Sequence, residues 1–544
     1  MPTRRAFLSA AGALSASGLL AACTRGEAPP PSPSTPSPAP AQPSPPPSPV
    51  TEPWRPLVHY SPPEGRLADP NGLVWYEGEW HLFHQQMGTW AHAVSTDLMH
   101  WQTLPTALEH DVLGQALTGG VVVDGANTSG LFVAGTGGLA AVYTSTDGGE
   151  AQSLATSADA GRTWQRYAGN PVLANDGRTD FRDPAVFWHE PTAAWVMSVS
   201  VGDAIEIFRS PDLITWTFAS RFGDGQGTHA GVWECPDLFP LPVDGDPDRT
   251  VWVLHVSVGT NAETDGSTAQ YFLGHFDGTT FARDLALEGR TDPAQWLLTD
   301  VGQDFYAART WEHAPDGRRV WLAWMGNWDY PYAAPTSPWT NALSLPRELG
   351  LRSGPGGEVR LTQQPVAELD GLRGTPWSPD LPPDGTVDGE LVLAPPDGVT
   401  AGAYEILAEL EPRADATIGI RVHRGADGGG TVVAVGADRL VLDRTTGGPQ
   451  DLTDPDTGAD VPFARRREGT IGRVTDDAGT VSLRVVVDAS SVEAFVGTGA
   501  LSGTLVGFPP PDATGLSLVS DGGAGRVRSV VVHPLAPARP DPAG

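Results

Sequence analysis

The chain has 544 residues, enough for two to four domains on length alone. Its 65 Gly, 52 Pro and 18 Trp point to many short strands and tight turns and away from long helices. A formal charge of −31 without basic patches excludes nucleic acid as a partner, because phosphate would be repelled.

Residues 1–23 carry Arg4-Arg5 ahead of an apolar run, Ala10 to Ala22, that is too short to span a bilayer comfortably. The run ends Leu20-Ala21-Ala22-Cys23, which resembles a bacterial lipoprotein cleavage site. The segment therefore predicts a twin-arginine export signal, with Cys23 the lipidated first residue of a cell-surface lipoprotein. An ordinary signal peptide with a chance cysteine is the plainer alternative. Stable anchoring takes two or more acyl chains, each buried methylene adding about 0.8 kcal/mol. The only other cysteine is Cys235, so lipidation of Cys23 would leave no intramolecular disulfide. The 13 His show no metal-ligand spacing and there is no Gly-rich phosphate loop, so neither metal nor cofactor is expected.

Residues 24–53 are rich in Pro, Ser, Ala and Thr and read as an extended tether, reaching about 3.1 Å per residue. From 54 to 365 a repeat runs through the chain. Ser95-Thr96-Asp97 precedes Trp101, Ser157-Ala158-Asp159 precedes Trp164, Ser210-Pro211-Asp212 precedes Trp216, and Phe276-Asp277-Gly278-Thr279 before Phe281 is a weaker copy. Each predicts a polar hairpin turn closed by an aromatic residue on the return strand. The spacing suits four-stranded blades, and five of them fill the segment.

The same register carries acids. Asp69 lies 28 residues before Asp97 and Asp183 lies 29 before Asp212, which predicts equivalent places in two blades. Glu234 precedes Asp277 by 43 residues and Thr118 precedes Asp159 by 41, so both would start blades, with Asp304 starting the fifth. In a propeller such positions converge on the central axis. Residues 366–536 hold alternating segments, among them Thr417 to Val422, Thr431 to Val435, Leu483 to Asp488, Val492 to Val496 and Val527 to Val532. These predict a two-sheet β-sandwich. The fold class expected is all-β, a five-bladed β-propeller followed by a β-sandwich.

Three acids stand in unusual settings: Leu67-Ala68-Asp69-Pro70-Asn71-Gly72, Phe181-Arg182-Asp183-Pro184 and Trp233-Glu234-Cys235-Pro236-Asp237. Acetal cleavage needs two carboxyl groups with opposite tasks, and a third can anchor sugar hydroxyls. Singly, each motif reads as an ordinary turn or salt bridge. Their order and context resemble glycoside hydrolase family 32, the levanases, inulinases and invertases.

The resemblance implies a fructosyl nucleophile at Asp69, an acid/base at Glu234 and a transition-state-stabilising carboxylate at Asp183. A retaining mechanism implies that nucleophile and acid lie about 5–5.5 Å apart. Glu234 would hold its proton through burial beside Trp233, Cys235 and Pro236, while Arg182 would keep Asp183 ionised. Further matches implicate Asn71, Gln85 in His81-Leu82-Phe83-His84-Gln85, Trp90 in Trp90-Ala91-His92-Ala93, Thr118, Arg182, and Trp328 in Trp324-Met325-Gly326-Asn327-Trp328 as sugar contacts. Trp90 and Trp324 fit propeller core equally well. Asp488-Ala489-Ser490-Ser491-Val492-Glu493-Ala494-Phe495 resembles a recurrent strand pair of the family's sandwich.

Two departures stand out. Arg66-Leu67-Ala68 replaces the family's Trp-Met-Asn, and the stretch between Gln85 and Trp90 is several residues short. The shorter loop would open the pocket wall to a polymer. The wording from Gly302 to Leu351 favours a microbial fructan hydrolase, levan before inulin, working as a monomer. Sucrose hydrolysis, fructosyl transfer by the same acids, and a non-catalytic fructan-binding lipoprotein are the alternatives.

Overall fold

A computed structural model describes residues 52–413, 415–470 and 479–538. The export signal, Cys23 and almost all of the tether lie outside the described residues. The regular structure of the described residues is almost entirely β-strand, with short 3-10 turns such as Glu190–Thr192 and Ala367–Leu372.

From Gly65 the strands follow one another as antiparallel meanders. The first comprises Gly65–Tyr76, Glu79–Gln86, Thr89–Ser95 and Gln102–Leu108; the second begins with Ala116–Asp124, the third with Phe181–His189 and the fourth with Trp233–Val243. Tyr306–Thr310, Val320–Met325, Arg347–Ser353 and Val359–Pro365 form a further set, joined to the fourth meander through the parallel pair Val243↔Leu351. The leading strands pack side by side in a ring, and Tyr306–Thr310 returns to Gly65–Tyr76. Trp75 N–H donates to Glu312 O and Glu312 N–H to Leu73 O, both at 2.9 Å, which fastens the last strands to the first. This is a β-propeller. Strands packed on both faces are buried throughout, and all eight residues of Ala194–Val201 are buried, Ser198 and Ser200 among them.

The repeated turns form as expected. Asp97 Oδ1 accepts from Met99 N–H and His100 N–H, Asp212 Oδ1 from Ile214 N–H and Thr215 N–H, and Asp277 Oδ1 from Thr279 N–H and Thr280 N–H. The following indoles of Trp101, Trp164 and Trp216 donate back to Leu98 O, Gly161 O and Leu213 O. These side-chain-to-backbone bonds fix the third hairpin of each meander without a long loop.

Residues after 385 form two six-stranded antiparallel sheets packed face to face. One holds Tyr404–Glu411 and Val481–Asp488, the other Thr417–Arg424 and Thr431–Val435. Ile406, Ala408, Leu410, Ile418, Ile420, Val485 and Val487 alternate inward to make the core between them.

Sandwich and propeller meet over a buried polar seam. His59 bridges Asp488 Oδ2 and Glu493 Oε1, at 2.8 Å each. Arg347 donates through Nε to Glu493 Oε2 at 2.9 Å and through Nη1 to Asp300 Oδ2 at 3.0 Å. Asp488 also accepts the Leu57, Val58 and His59 amides. Burial opposes a charged His59, but the two carboxylates outweigh it and raise its pKa to about 9.

Candidate active site

The five leading strands share one irregularity near the ring axis. Each carries a bulge in which two residues face one on the partner: 68–69, 117–118, 183–184, 235–236 and 307–308. Bulges bend a strand and re-aim its side chains. Proline, which cannot donate to a ladder, fits beside such a defect, and Pro70, Pro184 and Pro236 stand there. Asp69 therefore sits within a bulged strand and not on an ordinary turn. Asp183 (φ 63°), Cys235 (φ 51°) and Ala307 (φ 56°) are held left-handed, a conformation that costs about 1–3 kcal/mol per non-glycine residue and clusters at working sites. Gly72, at φ 52°, has no room for a Cβ, which would lie 2.5 Å from Val121 and 2.9 Å from Trp90.

The bulges bring the three acids together in two connected groups. In one, Asp69 Oδ2 accepts from Thr118 Oγ1 at 2.7 Å, and the Cys235 thiol lies 3.7 Å from that oxygen and 3.6 Å from Asp183 Oδ2. Cys235 N–H also donates to Asp183 Oδ2 at 3.2 Å. In the other, the residues directly ahead of three bulges touch in sequence. Arg182 Nε and Nη2 donate to Glu234 Oε1 at 2.9 Å, and Tyr306 OH donates to Glu234 Oε2 at 2.6 Å. Asp69, Asp183 and Glu234 are all buried, at 1%, 0% and 5% exposure, so charge and hydrogen bonding here act in a poorly screened setting.

Burial, then the charges of Asp183 and Asp69, push the Cys235 thiol well above its ordinary value, so it keeps its proton. Ligand atoms of Asp69, Asp183 and Cys235 lie within 4.8 Å of one another. With its proton kept, the thiol is a donor set between two carboxylate acceptors. Burial, then the Glu234 charge, likewise hold the Tyr306 phenol well above its usual value, which makes it a permanent donor to Glu234. Burial opposes the Arg182 charge, but Glu234, Asp183 and Glu150 together outweigh it.

Several expectations change in detail. Glu234 sits not in an apolar setting but against two donors, Arg182 and Tyr306. Arg182 makes its closer contacts with Glu234, Glu150 (3.0 Å) and Asp180 (2.8 Å) and approaches Asp183 only to 3.9 Å. Trp90 is fully buried and packs as core, its indole N–H donating to Leu117 O at 2.9 Å. Trp324 is core as well. Asp304 does not reach the axis; it precedes the last leading strand and turns outward to Arg444 of the sandwich at 2.6 Å.

Asn71 and Gln85 are buried together, with Gln85 Nε2 donating to Ala116 O at 3.1 Å. With its amide oxygen turned toward Gln85, Asn71 accepts from Gln85 Nε2 at 3.0 Å. Trp328 is half-buried, its ring edge-on to Tyr306 with centroids 6.3 Å apart. The short loop after Gln85 closes in two residues, Met87 (φ 55°) and Gly88 (φ 82°), between the paired Gln86 and Thr89. Tyr306 is the contact that the sequence reading missed. Its one signal is its place ahead of the last bulge, where no proline marks the spot.

Residues 59–365 match the model of the glycosyl hydrolases family 32 N-terminal domain and 369–534 that of the family 32 C-terminal domain. A levanase of Bacillus subtilis (strain 168) is 43% identical over 89% of this chain and 71% of its own length. A second levanase, from Bacillus sp. (strain L7), is also 43% identical, and this chain spans 52% of it. Among solved structures, an exo-inulinase from Aspergillus awamori superposes with a TM-score of 0.79 at 32% identity, covering 90% of this chain and 99% of its own.

Proposed function

The chain belongs to glycosyl hydrolase family 32, and on that premise we propose that it hydrolyses β-fructofuranosyl linkages of fructans, levan before inulin, with retention at the anomeric carbon. Asp69 attacks C2 of the fructosyl unit while Glu234 gives its proton to the leaving oxygen, so the C2–O bond breaks as the Asp69 ester forms. Glu234, now a carboxylate, takes a proton from water; the hydroxide adds to C2 and Asp69 departs. Asp183 holds ring hydroxyls more tightly as the ring flattens toward the oxocarbenium ion.

The observation that carries the reading is the meeting of the three acids on bulged leading strands, with Arg182 and Tyr306 both donating to Glu234. Those donors suit the carboxylate that Glu234 becomes halfway through the cycle. Thr118 and the Cys235 thiol orient Asp69 without cancelling its charge. Asn71, Gln85 and Trp328 are the proposed further sugar contacts.

Five blades within 54–365 and a sandwich over 366–536 are part of the same proposal, supported by five bulged leading strands and by family matches over 59–365 and 369–534. Export and a lipid anchor at Cys23, with the enzyme a monomer at the cell surface, rest on the Arg4-Arg5 and Leu20-Ala21-Ala22-Cys23 motifs. An Aspergillus ficuum relative, 34% identical, is named an extracellular exo-inulinase.

The test is to incubate the full chain and its Glu234→Gln form with levan, inulin and sucrose and to resolve early products by chain length. Fructose or fructo-oligosaccharides from levan, lost in the variant, support the proposal. Oligosaccharides first would mark endo action, the outcome that the two-residue Met87-Gly88 turn favours by leaving the rim low. Release from sucrose alone would replace it by an invertase, and release from none by a binding protein.

A further inference from the structure

The loop 326–335 carries Trp328 beside Tyr306 and hence on the Glu234 side of the site. Propeller residues hold its start: Asn327 Nδ2 donates to Ser267 O and Gln303 O, and Trp328 N–H donates to Ser267 Oγ. The rest of the loop is gripped by the sandwich. Arg465 Nη2 donates to Asp329 Oδ2 at 2.7 Å. The fully buried Arg444 reaches across to Tyr330 OH and Asp304 Oδ2, both at 2.6 Å, and lies 3.8 Å over the Phe463 ring. Tyr330 and Ala333 pack against Leu452, Phe463 and Phe508. At the far end a hairpin, Asp451–Thr453 with Asp460–Pro462, extends Asp456 to Arg66, which it meets through both oxygens at 2.7 and 2.8 Å. Arg66 lies three residues before Asp69, and its guanidinium stands 5.3 Å from the Tyr332 ring.

We infer that the sandwich is a positioning element of the site: Arg465, Arg444 and Asp456 fix the 326–335 loop and the entry to the Asp69 strand, and so set how the leaving-group part of a fructan chain is received against Trp328. The inference rests on the hydrolase reading above and adds a task for the second domain. Glu234 protonates the leaving oxygen, so a wall on its side meets the departing chain and not the fructosyl unit being attacked. Arg66 belongs to the Asp69 strand, Gly65–Tyr76. It gives this chain a charged handle that Asp456 can hold with bidentate geometry. The Arg66–Asp456 pair is partly exposed, with side chains 28% and 38% accessible, so removing it should barely alter global stability.

The experiment compares the full chain with Asp456→Ala, Arg465→Ala and the charge swap Arg66→Asp/Asp456→Arg. Levan oligosaccharide kinetics, melting temperature and amide exchange over 326–335 are recorded for each. The single variants should raise KM about five-fold, the equivalent of one exposed pair, with kcat held within about two-fold. They should also speed exchange in the loop, and the swap should restore both. Unchanged KM with unchanged exchange would overturn the inference and leave the sandwich a brace. A KM change that tracks a lowered melting temperature and is not rescued by the swap would overturn it too. A wild-type chain that cleaves no fructan would sink the hydrolase reading, and the exchange measurement alone would then decide the positioning role.

Discussion

Among the described residues, two clusters of buried charge, the seam and the propeller axis, are built differently. In the seam, cation and carboxylate alternate: Asp488, His59, Glu493, Arg347 and Asp300 form one chain of short contacts, none of the five at positive φ. At the propeller axis Arg182 reaches Glu234 and Asp183, and the three acids lean on neutral donors, Thr118, Cys235 and Tyr306, while Asp183 and Cys235 are held at positive φ. The seam spends its charges on holding two domains together. The axis holds its acids on donors that leave their negative charge in place, as a site that stabilises a developing positive charge requires.

The contrast can be broken from either side. The largest effect should come from Glu234→Gln, with kcat on levan reduced on the order of 10³-fold or more and the melting temperature little changed. Conversely, Arg347→Ala should strand Glu493 and Asp300 in the seam and cost about 3–5 kcal/mol of stability, read by denaturant melts, with kcat of the remaining folded enzyme near wild type.

Between these lies Tyr306→Phe, which removes the donor to Glu234 at 2.6 Å without removing the ring. A hydrogen bond to a charged group is worth about 1.5–3 kcal/mol, so kcat/KM should fall roughly 10- to 100-fold. A carboxylate deprived of a donor holds its proton longer, so the alkaline limb of the pH profile should move up.

The smallest effect is one of pH on the seam. His59 is raised from 6.5 to about 9 by its carboxylates, so its contribution is complete below pH 6.5 and lost as pH rises through about 9. Glu493, for which burial is outweighed by Arg347 and His59, is lowered from 4.5 to about 2; its contribution holds above pH 4.5 and fails as pH falls through about 2. The melting temperature should decline between pH 7 and 10, and His59→Gln should flatten that alkaline decline.

The acids at Asp69 and Asp183 were legible because their spacing to the turn residues Asp97 and Asp212 is a property of the repeat, which short-range sequence preserves. Glu234 was legible by motif, but its true neighbours were not. Arg182 reads as the partner of the adjacent Asp183, and only the bulges turn it across to the next strand. Tyr306 carries no proline beside its bulge, and the nearby carboxylate in the sequence, Asp304, belongs to the sandwich contact. Trp90 shows the limit of a local match, since burial is decided by Val121 and Phe83 from other strands. The segment Asp488 to Phe495 was recognisable as a strand pair, yet its role in the seam depends on His59 and Arg347, each more than 140 residues away.

The most direct test of the account is to trap the intermediate. The Glu234→Gln enzyme, given a fructoside with a leaving group that needs no proton, should form the ester but lack the base to hydrolyse it. Mass spectrometry of its peptides should then find the Asp69 peptide heavier by one anhydrofructosyl unit. An adduct on Asp183, or turnover with inversion and no adduct on any acid, would contradict it.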